Sequence, residues 1–348
     1  MEGSELVHLG WDSNWEDILN DFYSPIPTGG RVGRIVRVER GESDISFGEV
    51  EIRAVSDSLR AQSTMAPVTG DWVLVTPSED DLWRVDEVLP RRTELVRRDP
   101  GERELQQPLS ANIDLVFLVH GFDRPFRSGK LERFLVLGWN AGAEPIVVLT
   151  KADLASPEEI EELSGVVKAV APEVKVIVAS STTQDGLEPI RSLLQPNRTG
   201  TLLGESGAGK STLVNALLDD EVQETQEVRS GDAKGRHTTI TRDLRVVPGG
   251  GILIDTPGIR AVGLWDAQDA LERVFDDILS TGQECRFNDC SHGTEPKCAV
   301  RGAVESGELD SRRLERFALM AEELAESERR VAEREKHAQR RPRSRGRR

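Results

Sequence analysis

Gly204-Glu205-Ser206-Gly207-Ala208-Gly209-Lys210-Ser211 has the spacing G-x4-G-K-[ST], between the apolar run GTLLG and the amphipathic stretch STLVNALL. Such a strand–loop–helix arrangement is a phosphate cradle. Glycines let successive backbone N–H groups turn inward, and the helix N-terminus adds partial positive charge. Lys210 is expected to reach the β- and γ-phosphates and the Ser211 hydroxyl to ligate Mg²⁺, with Thr212 in the same helical turn. A plain glycine-rich turn is the competing reading, and the flanking strand and helix argue against it.

Asp255-Thr256-Pro257-Gly258 ends a second apolar strand and matches D-x-x-G. Asp255 is expected to hold the Mg²⁺ through water and the Gly258 N–H to sense the γ-phosphate. Between the two motifs lies Gly235-Arg236-His237-Thr238-Thr239, where Thr238 or Thr239 can close on the metal. Base recognition is expected from Thr150-Lys151-Ala152-Asp153, after the strand PIVVL, with Ser180-Ser181 after the strand VIVA. The Asp153 carboxylate can accept both N1–H and N2–H₂ of guanine. Adenine offers no such pair, so a buried acceptor would go unpaired and ATP would be rejected. Lys151 can lay its stem over the base, and the Ser180-Ser181 backbone can meet guanine O6. Thr150 stands where the motif usually has Asn. Taken alone, TKAD could be a surface loop; its place after the right strand, with the serine pair, favours the nucleotide reading.

For hydrolysis, the residue after D-x-x-G that orients water in Ras-like enzymes is here Ile259. An isoleucine orients nothing, so slow intrinsic turnover is expected. The hydrolytic set is read as Lys210, Thr238, Thr239 and His237, whose imidazole could hold the water; a surface histidine without that part is the alternative. Cys285-x4-Cys290-x-His292-x5-Cys298 uses all three cysteines of the chain. Three thiolates and an imidazole make a closed tetrahedral set for one structural Zn²⁺. Unliganded thiols or a redox switch are the competing readings.

Elements that would position these groups follow from periodicity. Residues 31–98 give short alternating runs (RIVRVER, VEIRAV, DWVLV, LWRVDEV) broken by turn residues, as a small OB-type β-barrel would. From DLVFLVH (114–120) onward, strand-like and helix-like runs alternate, as βαβ units around a parallel sheet do. The base-reading motifs precede the phosphate motifs, the reverse of the Ras-like order. The fold class is therefore α/β: a circularly permuted Ras-like P-loop GTPase domain, an N-terminal OB-type barrel and a C-terminal α-helical zinc-binding domain. Expected boundaries are 1–30 acidic, polar extension, 31–100 barrel, 105–265 permuted GTPase, 266–325 zinc domain, and 326–348 a basic, disordered tail. Residues 267–281 read as one helix and 308–338 as a long charged one.

The residues resemble a known family, the circularly permuted ribosome small-subunit-dependent GTPases of bacteria. The resemblance covers about 31–320 and rests on GDWV (70–73), ANIDLVFLV (111–119), TKADL, GESGAGKSTLVN, GRHTT, DTPGIR with GLW, and the cysteine pattern. It implies GTP or GDP, Mg²⁺ and zinc as bound groups, the 30S subunit and 16S rRNA as partners, and a role in late 30S maturation, stimulated by the subunit. A permuted GTPase serving another RNA or the large subunit, and an RNA-binding adaptor with a vestigial site, are the alternatives. An ATP-using kinase is disfavoured by TKAD.

Bulk properties agree. The 348 residues are 37% hydrophobic and 30% charged, enough for two or three soluble domains, and no apolar run reaches membrane-helix length. A signal-like start is lacking, and a cytosolic monomer is expected. The net charge of −16 argues against whole-surface attraction to nucleic acid. Ten Arg or Lys against two acids over 329–348, however, suit local phosphate contact.

Overall fold

The computed structural model describes residues 3–23, 25–39, 41–56, 66–78, 82–98, 106–219, 242–255 and 263–340. Strands β1 (Arg31–Val38), β2 (Glu42–Ser46), β3 (Glu51–Val55), β4 (Trp72–Pro77) and β5 (Trp83–Val88) close into a barrel in the order β1-β2-β3-β5-β4. Only the β3–β5 pair is parallel. That is the OB arrangement read from the alternating runs. Its interior is Ile35, Ile45, Phe47, Ala54, Val73, Val75 and Val85, the inward-facing positions of each strand.

Beyond β6 (Glu94–Arg98) and β7 (Gln106–Ala111), a six-stranded sheet takes over. It contains β8 (Leu115–Gly121), β9 (Glu144–Thr150), β10 (Lys175–Val178), β11 (Thr199–Gly204), β12 (Leu244–Val246) and β13 (Ile252–Ile254), in the order β10-β9-β8-β11-β13-β12. All pairs are parallel except β12–β13. The chain enters mid-sheet at β8, runs outward through β9 and β10, returns beside β8 as β11, and fills the other half. The central β8–β11 pair is thus the point where the two halves diverge, the usual crevice for a ligand in an open α/β sheet.

The helices are α1 (Gly3–Leu6), α2 (Ser13–Tyr23), α3 (Ser128–Asn140), α4 (Pro157–Val170), α5 (Leu187–Leu194), α6 (Lys210–Leu218), α7 (Gln268–Val274), α8 (Asp276–Gly282), α9 (Ala299–Ser306) and α10 (Ser311–Arg340). Local chemistry explains their starts. At α4, the Ser156 Oγ accepts from the Glu159 N–H (3.3 Å), Glu159 Oε2 accepts from the Ser156 N–H (2.7 Å), and Pro157 opens the helix. One face of the sheet, with Leu115, Phe117 and Val119, packs with Leu187, Ile190 and Leu194 of α5 and Leu213, Val214 and Leu217 of α6. Each such side chain stabilises the fold by about 1.5–3 kcal/mol on burial.

Two compact units result: residues 1–96, 108–128 and 141–261, and residues 97–107, 129–140 and 262–348. Barrel and sheet share the first unit. There Arg37 of β1 makes a paired contact with Asp243, just before β12 (2.7 and 2.8 Å), and the Thr69 hydroxyl donates to the Arg242 carbonyl (3.0 Å). In the second unit α3 lies with the C-terminal helices: its Glu132, wholly buried, takes Arg313 (2.9 Å) and Arg316.

Three expectations are corrected. The N-terminal extension is not merely polar: Leu6, Leu9, Trp11 and Trp15 are buried, and Trp11 meets Trp72 of the barrel edge-on at 4.8 Å. The helix read over 267–281 is two, because Phe275 leaves helical geometry (φ −115°, ψ 32°) and sits buried. Residues 326–340 are helical, not disordered: α10 continues to Arg340 through residues with high helix propensity and a Glu326–Arg330 pair one turn apart.

Candidate functional site

Parallel strands deliver the site residues to one edge of the sheet. The 204–209 loop leaves β11, 150–153 leaves β9, 180–181 leaves β10 and Asp255 leaves β13. Gly209, the residue that precedes and caps helix α6, has φ +92° and would place a Cβ 3.1 Å from the Thr150 hydroxyl. Only glycine serves there. Lys210 is buried, and its Nζ donates to the carbonyls of Gly204 and Glu205, both at 2.8 Å. Burial lowers its pKa, and the charge of Asp255 opposes that shift. Ser211 and Thr212 are exposed in the first turn of α6.

The 150–153 loop is bonded directly to the 204–209 loop. The Thr150 hydroxyl donates to the Ala208 carbonyl at 2.6 Å. Lys151, left-handed at φ 61°, sends its Nζ to the Gly207 carbonyl (2.9 Å) and to Asp123 Oδ2 (2.7 Å). A non-glycine residue in that conformation is a small strain that surrounding bonds must hold; here the Ala152 N–H donates to the Ala179 carbonyl (3.2 Å). Ser180, buried, donates to Asp153 Oδ1 at 2.5 Å, so the 150–153 and 180–181 loops are also joined. Ser181 lies beside it, its carbonyl accepting from Gln184 Nε2 at 2.8 Å. Residues 150–153, 180–181, 204–212 and 255 therefore gather at one place. Gly258, His237, Thr238, Thr239 and Ile259 lie outside the described residues.

Sequence reasoning missed Asp123 and Arg124, which follow β8. Arg124 donates to the Ser206 carbonyl (Nη1, 2.7 Å) and the Gly207 carbonyl (Nη2, 2.5 Å), and pairs with both oxygens of Asp123 (3.1 and 3.2 Å). The Arg124 hydrogen bond, with help from Lys151, pulls the Asp123 carboxyl down to about 2. A charged pair directly after a central parallel strand was the available signal. His120, the penultimate residue of the same strand, rests edge-on against Phe126 at 5.3 Å, and burial lowers its pKa.

In the second unit, the ligand atoms of Cys285, Cys290, His292 and Cys298 lie within 4.8 Å of one another. The Cys285 and Cys298 sulfurs are 3.8 Å apart, and His292 Nδ1 is 3.7 and 3.4 Å from them. A tetrahedral zinc with ordinary bond lengths has S–S edges of about 3.8 Å and S–N edges of about 3.5 Å. The Ala299 and Arg301 N–H groups donate to the Cys285 and Cys298 sulfurs (3.3 and 3.4 Å). The donor set fits zinc. Among the described residues, no helix is long and apolar enough to cross a membrane.

Comparison with known proteins agrees with this geometry. The chain is similar to the small ribosomal subunit biogenesis GTPase RsgA of Streptomyces avermitilis, 43% identical over 329 residues (94% of this chain, 87% of that protein). The protein of the same name from Leptospira interrogans is 38% identical over 327 residues, covering 92% of this chain and 89% of its own. Among solved structures, YjeQ from Thermotoga maritima superposes with a TM-score of 0.62 at 26% identity, over 85% of this chain and 99% of that one. YloQ, described as a circularly permuted GTPase, gives 0.59 at 26% identity, over 84% and 94%. The family model for RsgA GTPase matches residues 88–265. With a permuted sheet, a closed barrel and this match in hand, the chain belongs to the RsgA GTPase family.

Proposed function

We propose that this chain is a cytoplasmic, monomeric GTP hydrolase that binds the 30S subunit, through 16S rRNA, during its late assembly, and that the subunit stimulates its hydrolysis. One observation carries the nucleotide assignment: Thr150 and Lys151 are hydrogen-bonded to the carbonyls of Ala208 and Gly207 in the phosphate loop. A base held at Asp153 and phosphates held at Lys210 would then belong to one ligand. The Ser180 hydroxyl on Asp153 Oδ1 fixes the carboxylate for the two guanine donors. Adenine would leave it facing an acceptor.

Residues 204–212 would hold the phosphates, with Lys210 exchanging its present carbonyl partners for phosphate oxygens. Ser211 and Asp255 would hold Mg²⁺, which when bound neutralises charge between the β- and γ-phosphates. The Gly258 N–H is the proposed γ-phosphate sensor, and Thr238 or Thr239 is proposed to close on the metal. Ile259 carries no group able to orient water, so His237 is proposed to take that part when the subunit is bound. Cys285, Cys290, His292 and Cys298 would hold one structural zinc. The ribosomal assignment rests on the names of the relatives and on the barrel, a fold used for oligonucleotide binding.

The deciding experiment is GTP turnover titrated with purified 30S or 50S particles. Expected are slow turnover alone, stimulation by 30S and none by 50S, and loss of all turnover in Lys210→Ala. A stimulated rate left intact by His237→Ala would remove His237 from the mechanism. Equal responses to 30S and 50S would overturn the small-subunit assignment.

A further inference from the structure

The phosphate loop is held from outside by side chains that no phosphate motif contains. Three consecutive carbonyls are occupied: Ser206 by Arg124, Gly207 by Arg124 and Lys151, and Ala208 by Thr150. A peptide unit is planar and trans, so its C=O and the N–H of the next residue point in opposite directions. Fixing the carbonyls of 206, 207 and 208 outward therefore aims the N–H groups of 207, 208 and 209 to the other side of the loop. The Ala208 N–H bears this out, donating to the Glu205 carbonyl (3.2 Å), the same carbonyl that accepts from Lys210 Nζ. One face of the loop thus carries Lys210 and N–H groups; the opposite face carries carbonyls held by Arg124, Lys151 and the Thr150 hydroxyl.

We propose that Arg124, buttressed by Asp123, is a positioning residue of the nucleotide site: it presets the N–H groups of the phosphate loop and clamps that loop to the base-reading loop. The inference rests on reading 204–212 as the phosphate site. Asp123 makes the clamp a closed circuit, because its two oxygens serve Arg124 and one also serves Lys151. The circuit lies where β8 and β11 diverge, so the two halves of the permuted sheet are locked at their seam. A guanidinium can span two neighbouring carbonyls as a fork; an ammonium is a point donor and cannot do so equally well. Arg124 also places positive charge near Lys210, which draws phosphate to the site.

The test uses the full chain and fluorescent GDP and GTP analogues in equilibrium titrations, with GTP turnover and thermal melts in parallel. Arg124→Ala is expected to weaken GDP and GTP alike, by roughly 10- to 100-fold, the scale of two charge-assisted hydrogen bonds. Arg124→Lys is expected to recover only part of that, and Asp123→Asn to fall between it and the wild type. Turnover should lose more in KM than in kcat. Unaltered GDP and GTP affinities in Arg124→Ala, or a fall confined to melting temperature, would overturn the inference. A loss for GTP alone would overturn it too, because Arg124 would then be acting on the γ-phosphate and not on the loop. Failure of the wild type to bind either nucleotide would instead sink the site assignment beneath it.

Discussion

Asp123 sits between two cations and its charge state follows from them. The carboxyl is held at about 2, chiefly by the Arg124 hydrogen bond, against an ordinary value of 3.8. A group whose folded pKa is depressed contributes stability that is present above its unfolded value and lost as pH falls through the folded one. The stability difference between wild type and Asp123→Asn should thus be constant above about pH 5 and shrink between pH 4 and pH 2. Urea midpoints measured down that range check it, and a gap that ignores pH would contradict it. Asp153 invites a test of specificity. Asp153→Asn presents an amide that can donate to the 2-oxo group of xanthine where guanine offers an amino group. Competition binding should show GTP weakened by roughly a hundredfold or more and xanthosine triphosphate improved.

Among elements, the N-terminal segment is the one whose role packing decides. Trp11 and Trp15 lie within 6.1 Å of each other and both contact Trp72, while Arg92 stacks over Trp15 at 4.0 Å. Arg34, fully buried, donates to the carbonyls of Leu9, of Gly70 (3.2 Å) and of Asn112 (2.9 Å). Burial brings its pKa down to about 10, so it stays charged at neutral pH. Trp15→Ala should cost about 3–5 kcal/mol in urea unfolding, as large buried aromatics do; a loss below 1 kcal/mol would mean the segment is an appendage. The GDWV motif is structural in the same way. Asp71, wholly buried, receives Arg91 through two bonds of 2.8 Å and the Val68 N–H, and Gly70 at φ +96° would put a Cβ 2.2 Å from the Ala111 carbonyl.

The molecule as a whole divides its tasks between two units. The barrel and the residues proposed to bind the nucleotide lie in the first, the cysteine cluster in the second. Between Gln283 and Cys298 only Cys298 is buried, so this stretch of the second unit has no apolar core of its own and a metal would supply a large share of its stability. Stripping metal, or Cys298→Ser, should therefore lower the melting of this unit specifically, seen as a separated low-temperature transition in calorimetry. GDP binding in the first unit should persist above that low-temperature transition. A metal-free protein, verified by elemental analysis, that melts as the metal-loaded form does would exclude a structural metal.

The amino-acid order by itself determined which atoms are available and in what succession. Phosphate loop, TKAD, D-x-x-G and Cys₃His are local patterns whose chemistry depends on backbone conformation and fixed spacing, and the strands and helices between them follow from periodicity. Positions at the sheet edge followed as well, since parallel strands send their loops to a common side. Tertiary structure alone decided the rest. Arg124 meets carbonyls 82 and 83 positions away, Trp11 and Trp15 find Trp72, and Glu132 of α3 finds Arg313 and Arg316. Nothing in the spacing of such residues announces the match. They pair because the folded chain brings a charge or ring to the one surface that can satisfy it, and that surface does not exist until the sheet and barrel have formed.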